Sequence, residues 1–133
     1  MTHNFYRFNK QLLLEKAFDK SCEPVCKDFI KFCKQHLDLQ DRVKISFITT
    51  PDPDITTGCY VPSERSIKVL TKDRGLVDIL RSVAHEMVHQ YQHVTGKLND
   101  KSGETGSVHE NEAHSLAGVL MRLYHEKHKN KIY

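Results

Sequence analysis

Leu76-Val77-Asp78-Ile79-Leu80-Arg81-Ser82-Val83-Ala84-His85-Glu86-Met87-Val88-His89-Gln90-Tyr91-Gln92-His93 is the stretch from which the rest of the chain is read. Leu76, Val77, Leu80, Val83, Ala84, Met87, Val88 and Tyr91 recur at helical spacing and form one apolar stripe. The pattern predicts a helix from about Gly75 to His93, with Gly96 as its stop. On such a helix His85 and His89 stand about 40° apart around the axis and ~6 Å apart along it. Two imidazoles in that relation can reach one tetrahedral metal ion from the same face. Glu86, beside the first histidine, can meet a metal-held water as general base without being a ligand. His93 lies ~12 Å from His85 along the axis, too far to share the ion.

A catalytic zinc takes three protein ligands and keeps one position open. The third is sought in the next helical pattern, Val108 to about His125, which is expected to bury Ala113, Leu116, Ala117, Leu120 and Tyr124. Glu112 borders that stripe and is the expected ligand, because a carboxylate turned toward an apolar neighbour needs a cationic partner. His109, about one turn earlier, is its competitor. Glu110 is expected to point elsewhere. His114 is expected to support the site from outside, or to donate to the oxyanion of a reacting carbonyl; Tyr60, Tyr91 and His109 are further possible donors.

Upstream the period changes. Val43 to Ile48 alternates as a half-buried strand does, Pro51-Asp52-Pro53-Asp54 is a loop, and Gly58–Val61 and Ser66–Leu70 flank the Pro62–Arg65 turn. These segments predict a small antiparallel three-stranded sheet, with the strand near Tyr60 or Val69 open to an extended substrate backbone. From Asn9 to about Leu37 the spacing is helical, as one helix or a helix pair, with Ser21 as cap of a fresh start ahead of Pro24. Residues 97–107 are polar and contain two glycines, hence a loop. The expected architecture is α+β: an N-terminal helix or helix pair, the sheet, the histidine helix and a C-terminal ligand helix. One domain is expected to span residues 1–133.

With 133 residues, 38% apolar and 28% charged, the chain has room for one modest core. No apolar run approaches the ~18 residues of a membrane span. Met1-Thr2-His3-Asn4 opens without a basic segment and apolar stretch, so a cytoplasmic protein with no membrane contact is expected. Cys22, Cys26 and Cys33 share one helical face and, with Cys59, are expected to be free thiols. The net charge of +3, from 20 basic and 17 acidic residues, does not itself argue for nucleic acid. Lys127, Lys129 and Lys131 in a basic, frayed tail, with Arg122 before it, offer at most a weak contact with DNA.

Two pieces of the chain carry a family resemblance. His85-Glu86-Met87-Val88-His89, followed 23 residues after His89 by Asn111-Glu112-Ala113-His114-Ser115, resembles the minimal gluzincin metallopeptidases. Their Asn-Glu-x-x-Ser signature supplies the third zinc ligand, here Glu112, although their following aspartate is Leu116 in this chain. Glu112, Ala113 and Ala117 are also similar to the pattern of the ImmA/IrrE-like peptidases. Ala84 to Gln90, together with the Gly58–Tyr60 and Ile67–Val69 hairpin, resembles the SprT-like proteases, some of which act on DNA-attached proteins. Their third ligand is a histidine commonly followed by glycine, whereas His109 precedes Glu110. The longer metzincin signature requires glycine at position 92 and histidine at 95, where Gln92 and Thr95 stand. The resemblance implies a zincin-like fold, one Zn2+ ion on His85, His89 and Glu112, and hydrolysis of a peptide or protein substrate with Glu86 as general base. A SprT-like DNA-associated protease and a zinc-binding regulatory module without catalysis are the alternatives.

Overall fold

A computed structural model describes residues 18–96 and 107–132. A 3-10 turn, Lys20–Cys22, leads into α1 (Glu23–His36); β1 (Lys44–Ile48), β2 (Gly58–Val61) and β3 (Ser66–Leu70) follow, then α2 (Leu76–Val94) and α3 (Val108–Ile132). The expected α+β class and the three strand positions agree with this order. The helical pattern of residues 9–17 and the loop of residues 97–106 lie outside the described residues. The single domain expected over residues 1–133 extends beyond the described residues.

Ser21 is not the expected cap. Asp19 caps the short turn by accepting from the Ser21 backbone N–H, and α1 starts behind Cys22 with Pro24 in its first turn. Proline is tolerated there because the N–H it lacks has no partner inside the helix.

The sheet is mixed rather than antiparallel, with strand order β1-β3-β2. The tight Pro62–Arg65 turn makes β2 and β3 antiparallel, with Gly58 opposite Val69. β1 runs parallel to β3, with Ile48 opposite Leu70. The end of β1 and the start of β2 therefore lie almost level, on opposite sides of β3. The connection 49–57 has only to arch over the end of β3, and two strands joined in that way run in opposite directions. Thr57 and Ile48 carbonyls accept from the Leu70 and Thr71 N–H groups where the arch crosses. β3 has the most buried strand pattern and takes the centre. Val69 is thus on an inner strand with both edges paired, and only β2 of the two expected substrate-pairing segments is an edge.

The core joins one face of the sheet to three helices. Ile67 and Val69 pack with Leu76, Ile79, Leu80, Val83, Ala84, Met87 and Val88 of α2. Ala113, Ala117, Leu120 and Tyr124 bring α3 onto the same core, and Val25, Phe29, Phe32 and Cys33 bring α1. Tyr124 sits edge-on to Phe29 and Phe32, with centroids 5.0 and 5.3 Å away, and its hydroxyl donates to Asp28 at 2.7 Å. The stripe of α3 follows the expectation, except that Leu116 is only partly buried. The helix also continues through Ile132, past the fraying expected after His125.

Arg74 fixes the arch to the start of α2. Its guanidinium donates to the Leu70 carbonyl at 2.6 Å, the Thr57 carbonyl at 3.0 Å, Asp78 at 2.7 Å and the Ser82 hydroxyl at 2.6 Å. The side chain is 9% exposed, and its fork geometry lets one cation satisfy both loop carbonyls and the helix. Among the described residues, no helix is long and apolar enough to cross a membrane. The four cysteines are free, three of them buried; burial pushes the Cys26 thiol up to about 12, with Cys22 and Glu23 adding to it.

Candidate metal centre

α2 presents its histidines as the spacing requires. Their rings lie 4.9 Å apart, centroid to centroid, and nearly perpendicular at 79°. Met87 and Val88 between them are fully buried and fasten that turn to the core. The third group, however, is Glu110. Its two oxygens bridge the pair, with Oε1 2.8 Å from His85 Nε2 and Oε2 3.0 Å from His89 Nε2. Among the described residues, His85, His89 and Glu110 form a group able to hold a metal ion, with donor atoms within 4.8 Å of one another.

The structure thus brings Glu110, not the expected Glu112, to the histidines. Glu112 Oε1 accepts from Gln92 Nε2 at 2.9 Å, and His109 offers its backbone carbonyl to the same amide at 2.9 Å. The reason is the phase of α3. At 100° per residue Glu110 lies ~20° from Ala117 around the axis, and Glu112 ~140°. The buried centre of the stripe is Ala113–Ala117–Leu120–Tyr124, so Glu110 continues it, whereas Glu112 continues the half-exposed side through Leu116. A sequence signal for this exists in Ser107. Its carbonyl and hydroxyl accept from the Asn111 and Glu110 N–H groups, which fixes the helix start and puts Glu110 in the first turn. A carboxylate is favoured there by the helix dipole.

The donor set suits zinc. Two imidazoles and a carboxylate are one of the three-ligand sets that leave a fourth position open. Zinc bonds of ~2.0–2.1 Å would put tetrahedral donors roughly 3.3 Å apart, so donors that lie within 4.8 Å of one another would have to be drawn together by the ion.

Glu86 is 7% exposed and lies under the edge of β2. A Cβ at Gly58 would stand 3.2 Å from Glu86 Cγ and 3.4 Å from its Oε2, so the glycine leaves the carboxylate its room. Burial raises the Glu86 carboxyl to about 8; the charge of Glu110 adds to the shift, and the Tyr60 backbone N–H, by bonding the carboxylate, opposes it. His85 moves the other way. Burial lowers its pKa, with Glu110 opposing and His89 assisting. Both groups are therefore biased toward their neutral forms, as desolvation dictates.

The site opens into a cavity of about 250 Å3 lined by Thr57, Arg81, Ser82, Glu86, Glu110 and His114 among others. His114 is thus at the cavity and exposed, in a place consistent with an outer role. Of the possible oxyanion donors, Tyr60 is engaged elsewhere, its hydroxyl 2.6 Å from His93 Nδ1. Tyr91 packs against the core. In the basic tail, Lys127 sits over the Phe32 ring, 5.3 Å from its centroid, and the side chains of Lys129 and Lys131 lie outside the described residues. Compared with protein-family models, curated proteins and solved structures, the chain has no match.

Proposed function

We propose that this protein is a zinc-dependent metalloendopeptidase of zincin-like design, with His85, His89 and Glu110 as the zinc ligands and Glu86 as the general base. The observation that carries this reading is the convergence of two α2 imidazoles and the Glu110 carboxylate beside a second, buried carboxylate, at a cavity. A purely structural zinc site has four protein ligands and no use for Glu86; three ligands with an acid–base group beside them suit hydrolysis. Bound zinc would supply Lewis acidity and bring the pKa of a water toward neutrality. Glu86 would take the proton from that water and hand it to the leaving amine. The Tyr60 N–H and the space left by Gly58 hold the carboxylate in place for that transfer. A carboxylate third ligand is of the gluzincin type and not the SprT-like histidine type, although Glu110 stands two residues before the glutamate that carries the resemblance, Glu112.

The test is metal analysis together with hydrolysis of an unfolded protein substrate. Zinc-loaded protein is expected to cleave internal peptide bonds and to stop on chelation. Glu86→Gln is expected to keep its zinc and to lose about 10²–10⁴-fold in rate. Full activity in that variant would overturn the mechanism, and zinc binding without cleavage in the wild type would leave a non-catalytic zinc module.

A further inference from the structure

Gln92 is 0% exposed, and a buried amide must satisfy an acceptor and two donors. Its Nε2 lies 2.9 Å from the His109 carbonyl and 2.9 Å from Glu112 Oε1. The carbonyl is only an acceptor, and the carboxylate accepts as well, so the nitrogen must face them and Oε1 must face the other way. There it meets His89 Nδ1 at 2.8 Å. An oxygen at that place requires a proton on Nδ1. The amide orientation and the histidine tautomer are therefore set by the network as a whole.

We infer that Gln92 is the positioning residue of the metal centre, presetting His89 to offer Nε2 to the ion and locking the first turn of α3, with Glu110, against α2. The inference rests on the metal-site reading above. With Nδ1 protonated and bonded, the ring cannot rotate to offer its other nitrogen, and Nε2 is left facing Glu110 Oε2, 3.0 Å away. The same amide ties the carbonyl before Glu110 and the carboxylate two residues after it to α2. One side chain thus controls one ligand by its oxygen and another by its nitrogen. Gln92 follows His89 by three residues on the same helix, so this reach to the imidazole is built into α2 itself.

The experiment uses the full chain, with zinc and cobalt as the probes. In ¹⁵N-histidine spectra of the wild type, His89 Nδ1 is expected to carry a slowly exchanging proton with and without zinc. In Gln92→Leu that proton is expected to exchange fast, and zinc affinity, read by chelator competition, to fall ~10–100-fold. The cobalt absorption bands should shift as the ligand geometry loosens. Gln92→Glu keeps the acceptor for His89 but sets a carboxylate against the His109 carbonyl and Glu112, so its His89 Nδ1 proton is expected to stay protected while zinc affinity falls. A bare His89 Nδ1 in the wild type, or a Gln92→Leu loss below about fivefold, overturns the proposal. Should Gln92→Leu not fold, the wild-type spectrum and the His89 Nδ1 proton of Gln92→Glu decide. A wild type that binds no zinc sinks the metal reading, while the Nδ1 proton of the metal-free protein still tests the tautomer clamp.

Discussion

Helix α2 and the first turn of α3 give donor atoms to the same cluster, but different forces put them there. On α2 the imidazoles are four residues apart, and helix geometry alone aims both at one point. Glu110 is 21 residues beyond His89 and arrives only because α3 buries Ala113, Ala117 and Leu120 against α2. The α2 half of the site is local and survives small changes in packing. The α3 half depends on phase: rotation of that helix by two residues would exchange Glu110 for Glu112.

Exchanging the roles of these two glutamates is the sharpest way to break the comparison. Glu110→Ala is expected to weaken zinc binding by on the order of a thousandfold, about 4 kcal/mol. Glu112→Ala, whose carboxylate touches Gln92 and not the histidines, is expected to cost roughly tenfold or less. Chelator competition measures both. The reverse ranking would mean that α3 docks in the other phase around the ion, and the Asn111-Glu112-Ala113-His114-Ser115 resemblance would then hold at its glutamate too.

What could be read from the sequence follows the same division. The stripe of α2, the spacing of His85 and His89 and the three strands are written in short-range periodicity and appear where they are expected, except that Ile79 joins the buried stripe and Val77 is only partly buried. β1 beside β3 is a pairing between distant segments, and a turn-by-turn reading extends the antiparallel habit of the hairpin to it wrongly. The third donor fails for a related reason. An apolar stripe defined by both Leu116 and Ala117 has a blurred centre, and the two glutamates flank it. Only burial, which separates Ala117 from the half-buried Leu116, resolves the phase. Arg74 was not legible as a clamp, because the two carbonyls it holds acquire their positions only when the arch over β3 has formed.

Arg74 tests how far the local half needs tertiary support. Arg74→Met removes a buried cation from Asp78, Ser82 and two loop carbonyls, and is expected to cost about 3 kcal/mol of stability, roughly ten degrees in melting temperature. Zinc affinity of the folded fraction should change little, because His85 and His89 lie further along α2. A large affinity loss in protein that melts normally would show that the arch also shapes the metal face.

A smaller effect is expected from pH in the metal-free protein, where two neighbouring residues of α2 pull in opposite directions. Glu86 holds its proton more tightly when folded, at about 8 against an ordinary 4.5. Its stabilising contribution is full below pH 4.5 and fades as pH rises through about 8. His85 has a folded pKa below its ordinary 6.5, so its contribution is present above pH 6.5 and is lost as pH falls through the folded value. Glu86→Gln isolates the first term. In chelator, the melting temperature of the variant minus that of the wild type is expected to grow from pH 5 to pH 8, and a flat difference would mean an ionised Glu86 throughout. Bound zinc should reduce the slope, because a cation at the site favours the carboxylate.

The smallest expected effect concerns the wall between the sheet and the acid–base group. Gly58→Ala puts a methyl 3.2 Å from Glu86 Cγ and 3.3 Å from the Lys68 carbonyl. The carbonyl belongs to the β2–β3 pairing and yields little, so the Glu86 side chain has to move. A stability loss of about 1 kcal/mol is expected. Zinc affinity should hold, since none of the three donors touches Gly58, while cleavage should slow with the displaced carboxylate. A variant that cleaves normally would put the working position of Glu86 away from the β2 edge, and the metal cluster would then be the whole of the site's preorganisation.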